Sequence, residues 1–86
     1  MAISMLRKPS VRQRTGYANS TLYARIEKGL FPPPVRIGKK MSGWPDTEVD
    51  AVIAATVAGY PPERLRDLVS RLVAERAMAA KAVGLE

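Results

Sequence analysis

The sequence predicts a mainly α-helical protein with a small β-hairpin wing: a winged helix-turn-helix followed by a C-terminal helix. Three observations predict it. Residues 9–28 read as two short helices around a glycine-containing turn. A proline run then leads into an apolar–charged–apolar pattern with a Gly-Lys-Lys turn. Further on, apolar residues recur at helical spacing along 63–83. The division is expected at residue 60, with 1–60 as the winged helix-turn-helix and 61–86 as a C-terminal helical element that meets another copy.

Pro9 suits the first turn of a helix, where a missing N–H costs nothing. Val11 faces inward, and Thr15-Gly16 stops the helix because glycine accepts the left-handed backbone of a tight turn. Asn19 is the expected N-cap of the second helix. Leu22 and Ile26, four apart, share its inner face, and Gly29 closes it after Lys28. Phe31-Pro32-Pro33-Pro34 cannot be helical, since prolines supply no donors. Val35-Arg36-Ile37 reads as a half-buried strand, Gly38-Lys39-Lys40 as its turn and Met41-Ser42-Gly43-Trp44 as the return strand. Trp44, the sole tryptophan, is expected in the core.

Asp46 or Thr47 is the expected cap of a third helix, whose first-turn acids favour the positive dipole end. Val49, Val52, Ile53 and Val57 give it an apolar face, and Gly59-Tyr60-Pro61-Pro62 ends it. Residues 63–83 are expected as one last helix, roughly 30 Å long at about 1.5 Å per residue. Its apolar face is Leu65, Leu68, Val69, Leu72 and Val73, flanked by Asp67–Arg71 and Arg71–Glu75 pairs, and Gly84 is its stop.

Composition narrows the function. An 86-residue chain buries only about 60–65% of its unfolded surface, so its core is marginal without help. There is no cysteine and no histidine, which excludes disulfides and argues against a zinc or other metal site. The same lack, with no Gly-rich phosphate loop, argues against an enzyme, and no cofactor is expected. No run approaches the roughly 20 apolar residues of a membrane span, and the start of the chain lacks the apolar run of a signal peptide. A cytoplasmic, nucleoid-associated protein without a membrane partner is expected. Charge is unevenly placed: residues 1–44 carry nine basic groups and one acid, whereas 45–86 carry five basic and seven acidic groups. The net charge of +6 is thus +8 in the first half and −2 in the second, and such asymmetry points to a polyanion, here double-stranded DNA.

In a helix-turn-helix the second helix lays its N-terminal residues against base edges in the major groove. Those are Asn19, Ser20 and Thr21 here, with Arg25 one turn on for guanine. The hydroxyls of Ser20 and Thr21 also fit plain solvation, and Tyr23 fits either a phosphate contact or packing. Lys28, Arg12 and Arg14 are expected on phosphates; Arg36, Lys39 and Lys40 on the wing fit phosphate or minor-groove contact as well as a solvated turn.

Leu6-Arg7, Val11, Thr15-Gly16, Ser20-Thr21-Leu22-Tyr23, Gly29-Leu30-Phe31-Pro32, Pro34-Val35-Arg36-Ile37-Gly38, Gly43-Trp44 and Glu48-Val49 together resemble the AlpA family of prophage and integrative-element regulators, small relatives of MerR-type and excisionase winged helices. The resemblance covers residues 6 to about 54. It implies a DNA-binding regulator that activates excision genes, or an excisionase (recombination directionality factor) that shapes attachment-site DNA and steers an integrase. This chain departs from the family pattern at Ala18, where serine is usual, and at Ala24 and Pro45, where arginine is common.

For the last helix two readings stand. Leu65, Leu68 and Leu72 fold back onto the domain, or they meet another copy and make binding along DNA cooperative; self-association is the favoured expectation. The competing function is a protein–protein adaptor or anti-regulator that uses the same helix without binding DNA.

Overall fold

The computed structural model describes residues 3–82 and 84. The order of elements is β1 (Met5–Leu6), α1 (Lys8–Thr15), α2 (Asn19–Glu27), β2 (Val35–Gly38), β3 (Met41–Pro45), α3 (Asp46–Val57), α4 (Pro62–Ala74) and α5 (Arg76–Ala82). The fold is mainly helical with a small antiparallel sheet, a winged helix-turn-helix followed by C-terminal helices.

Pro9 lies in the first turn of α1. The Thr15 hydroxyl donates to Val11 O at 2.8 Å and accepts from the Tyr17 N–H at 3.3 Å, so one side chain ends α1 and begins the turn. Gly16 takes the left-handed backbone there, at φ 77°. Asn19 is not the cap of α2: the helix begins at Asn19, Ala18 precedes it, and no side chain caps it. The Ala18 carbonyl instead accepts the Leu22 N–H at 3.0 Å.

The hairpin forms at β2 and β3, with Val35 opposite Gly43, Arg36 opposite Ser42 and a bulge between Arg36 and Gly38. The sequence did not announce β1. It adds a third strand, Leu6 opposite Trp44, in the order β1-β3-β2. Asp46, expected as a cap, serves this strand: its carboxylate accepts the Ser4 N–H at 3.1 Å, and its own N–H donates to Ser4 O at 2.8 Å. Neither Asp46 nor Thr47 caps α3 through its side chain. Gly43 is required here, because a Cβ would sit 2.9 Å from Leu6 O.

Val11, Leu22, Phe31, Trp44, Val49, Val52, Ala55, Leu65 and Val69 form one core. Phe31 is fully buried at its centre, edge-on to Tyr17 at 6.1 Å and to Trp44 at 6.3 Å. Trp44 Nε1–H donates to Pro32 O at 2.8 Å, which pins the proline connector.

The single long helix expected over 63–83 is two helices, α4 and α5, with a turn at Glu75; Val83 lies outside the described residues. Part of the apolar face expected to meet another copy lies in this chain's own core. Leu65 and Val69 are only 4% and 5% exposed, inside this chain's own core, and Leu68 and Leu72 pack against it while Val73 is half-buried. The reason is α3, whose Val52 and Ala55 need covering and which lies against α4.

Nor do Asp67–Arg71 and Arg71–Glu75 make ion pairs. The two salt bridges among the described residues are Arg14–Asp50 and Arg76–Glu48. Glu48 is buried, and Arg76 grips it twice, Nε to Oε2 at 2.9 Å and a terminal nitrogen to Oε1 at 2.7 Å. The same guanidinium donates to Pro33 O at 2.7 Å, tying α5, α3 and the connector together. Hydrogen bonding to Glu48 raises the Arg76 pKa above the ordinary arginine value, outweighing the opposing effect of burial. Among the described residues no helix is long and apolar enough to cross a membrane.

Candidate nucleic-acid interface

α2 presents its interior through Leu22 and Ile26 and its exterior through Asn19, Ser20, Thr21, Tyr23 and Ala24, all exposed. At about 100° per residue, Ser20 and Ala24 lie opposite the buried Leu22. The C-terminal helices leave this exterior open, because they reach α2 from behind. Arg66 of α4 donates to Lys28 O at 3.0 Å and lies 3.8 Å from where a Gly29 Cβ would be. That bond satisfies a free carbonyl at the C-terminal end of α2 and leaves the Lys28 side chain exposed.

Apart from Lys28, the cationic residues named from sequence fall into three groups. The first surrounds Tyr17 in the inter-helix turn. Arg25 stacks over its ring at 5.1 Å, and Arg12 Nε donates to its carbonyl at 3.4 Å. Arg25 is therefore half-buried, with Nε enclosed and unpartnered. Stacking fixes the guanidinium on one flank of α2.

The second group is the hairpin. Arg36, Lys39 and Lys40 line one hollow with Pro34, Met41 and Ser42. Arg36 folds back, Nε to Gly38 O at 3.3 Å and a terminal nitrogen to Lys39 O at 2.8 Å, and so braces the turn from which Lys39 and Lys40 project. A second hollow shares Pro34, Lys40 and Ser42 with the first and continues to Arg7, Lys8 and Tyr23. Five cations thus run continuously from the hairpin tip to the start of α1. Tyr23, which sequence left between packing and phosphate contact, is 48% exposed, and its hydroxyl accepts from Lys8 Nζ at 3.2 Å.

The third group is Arg14 alone. It pairs with Asp50 of α3 at 3.1 Å, both side chains being well exposed, so part of its charge is answered within the chain. Arg7, Lys8 and Ser42 were missed as site residues. The available signal was Arg7-Lys8 directly before a helix-starting Pro9, but only the β1–β3 pairing brings them beside residue 42.

Comparison with known proteins agrees with this architecture. Residues 4–56 match the family described as "Prophage CP4-57 regulatory protein (AlpA)". A protein of Enterobacteria phage P4, described as "Uncharacterized protein ORF88", is 44% identical over 54 residues, 63% of this chain and 61% of that protein. The chain thus spans under two thirds of that relative's length. No solved structure matches. The family match covers the helix-turn-helix, the sheet and nearly all of α3, and the chain belongs to the AlpA family of prophage regulatory proteins.

Proposed function

We propose that the chain is a sequence-specific double-stranded DNA-binding protein of a prophage or integrative element. It controls excision, as an excisionase that steers an integrase or as a regulator of excision genes. The observation that carries this reading is the open exterior of α2, flanked by an unbroken run of cations from Arg7 to the hairpin tip. Ser20 and Thr21 meet base edges, and Arg25, steadied on Tyr17, reaches guanine from the flank. Lys28, Arg12, Lys39 and Lys40 meet phosphates, which set register without reading sequence. Arg36 acts chiefly by bracing the hairpin. Arg14 reaches a phosphate only by releasing Asp50.

The test is a gel shift across a potassium chloride series, using the element's attachment and promoter regions against scrambled duplexes. A salt-sensitive shift preferring one of these regions is expected. No salt-sensitive shift at any site overturns the reading and favours the protein–protein adaptor. Excision frequency with the excision genes on an unrelated promoter then divides the two roles: continued dependence on this protein marks an excisionase, and lost dependence a regulator.

A further inference from the structure

We infer that the cleft between the start of α1, Tyr23 and the hairpin is a binding site for one phosphate of a DNA backbone strand. Its ligands are Arg7, Lys8 and Lys40, with the hydroxyls of Tyr23 and Ser42. The inference rests on the DNA-binding reading and adds to it a site at the seam between reading helix and wing.

The cleft encloses about 260 Å³ and has no acidic residue in its lining. At about 30 Å³ per water molecule it has room for a phosphodiester group and its hydration. Pro9, Pro34 and Trp44 supply stiff apolar walls, and the five polar side chains supply the donors. They come from separate stretches of sequence. The pairing of Leu6 with Trp44 sets the residue after β1 alongside β3, and the hairpin turn returns Lys40 to the same place.

What sets this cluster apart among the described residues is convergence, since three cations line one hollow without an acid and none of them is spent on an ion pair. Arg14 is answered by Asp50, Arg76 by Glu48, and Arg36 is folded onto hairpin carbonyls. Among the described residues, Arg7, Lys8 and Lys40 form no salt bridge. Lys8 does donate to the Tyr23 hydroxyl and lies 5.3 Å over its ring, but both partners are neutral, so its charge stays available. With its oxygen accepting from Lys8, Tyr23 keeps its own O–H to donate outward. Three cations and two hydroxyls around one concavity more than meet the single negative charge of a phosphodiester and supply donors for its non-bridging oxygens.

Position gives the same answer. A helix in the major groove and a hairpin in the adjacent minor groove straddle the backbone strand that separates them. In that docking the strand would pass over the seam, where this cleft opens.

The experiment uses the full chain and a fluorescent 20-base-pair duplex, with anisotropy read across a potassium chloride series and folding checked by Trp44 fluorescence. Arg7→Ala/Lys40→Ala is expected to weaken binding about tenfold or more. The slope of log affinity against log salt should fall by about one. Tyr23→Phe and Ser42→Ala each weaken binding while leaving the slope unchanged, because neither removes charge. Arg64→Ala, which removes a cation stacked on Tyr60 in a hollow that shares no residue with the cleft, moves neither quantity. Wild-type affinity and slope in the Arg7→Ala/Lys40→Ala variant, with salt-sensitive binding intact, overturn the site alone; an equal loss in Arg64→Ala does the same. A wild-type chain without salt-sensitive binding overturns the parent reading instead. Titration with inorganic phosphate distinguishes the source. If that variant loses phosphate binding but keeps full duplex affinity, the cleft takes a free anion and the inference fails.

Discussion

Removing Arg76 should cost this protein more than removing its partner Glu48, although the two share the same hydrogen bonds. The Glu48 side chain is 6% exposed and cannot turn to solvent, whereas Arg76 is 24% exposed at the edge of the fold. Breaking a buried pair from one side costs about 3–5 kcal/mol, mostly through the charge left behind. Arg76→Ala strands the Glu48 carboxylate and also frees Pro33 O, so about 3–4 kcal/mol is expected. Glu48→Ala leaves a guanidinium that keeps Pro33 O and swings toward water, so about 1–2 kcal/mol is expected. The double variant should be less destabilised than the two singles added, by at least about 1 kcal/mol. A domain of this size has roughly 4–13 kcal/mol in all, so the larger loss is severe.

Urea denaturation followed by the buried, unique Trp44 reads it directly. At a slope of about 1 kcal/mol per molar urea, Arg76→Ala lowers the midpoint by about 3 M. The hydrogen bonds raise the Arg76 pKa, so its contribution is fully present below the ordinary arginine pKa and is lost only as pH rises through the raised one. Deprotonation of Arg76 therefore adds no pH dependence near neutrality. Equal costs for the two single variants, or strict additivity, would refute this account of the pair.

Three further outcomes follow from the geometry. Arg25→Ala should weaken preferred sites over random ones by about 1–3 kcal/mol, whereas Lys39→Ala should weaken all duplexes alike and lower the salt slope by about one; the reverse pattern in a gel-shift series would exchange the roles of helix and hairpin. Leu65→Ala should cost about 2–5 kcal/mol of stability, and in sedimentation and urea melts the loss should not depend on protein concentration. A loss that vanished on concentrating the protein would return that face to a partner copy. Gly43→Ala should cost about 1–3 kcal/mol, because the new Cβ meets Leu6 O and must push β1 off β3; an unchanged melting temperature would mean that β1 contributes nothing.

Much of the fold was legible because it rests on local signals. Gly16 and the apolar spacing of Leu22 and Ile26 marked the helix-turn-helix, and alternation around Gly38-Lys39-Lys40 marked the hairpin. β1 was not legible, since two residues carry no periodicity. The caps at Asn19 and Asp46 were misassigned because residue type shows which side chains can cap a helix, not which backbone competes for them; Ser4 took Asp46. Glu48 read as an ordinary first-turn acid because its partner lies 28 residues away. The break at Glu75 has neither glycine nor proline to signal it. Of the candidate interface, the hairpin lysines and the α2 hydroxyls were readable by position. The stacking of Arg25 on Tyr17 was not, because it depends on how the turn folds back along α2, nor was the meeting of Arg7 with Lys40, which depends on strand pairing far apart in sequence.

The triple-proline connector has a mechanical consequence. Its rings have no N–H to exchange with a neighbour, and two of its carbonyls are held by side chains from different elements, Pro32 by Trp44 and Pro33 by Arg76. The hairpin is thus offset from α2 by a strut rather than a tether. In the proposed DNA-bound state such a gauge would span one separation along a duplex. A target lengthened by a base pair between the two contact zones would have to twist or bend to fit, since the protein has little slack to offer.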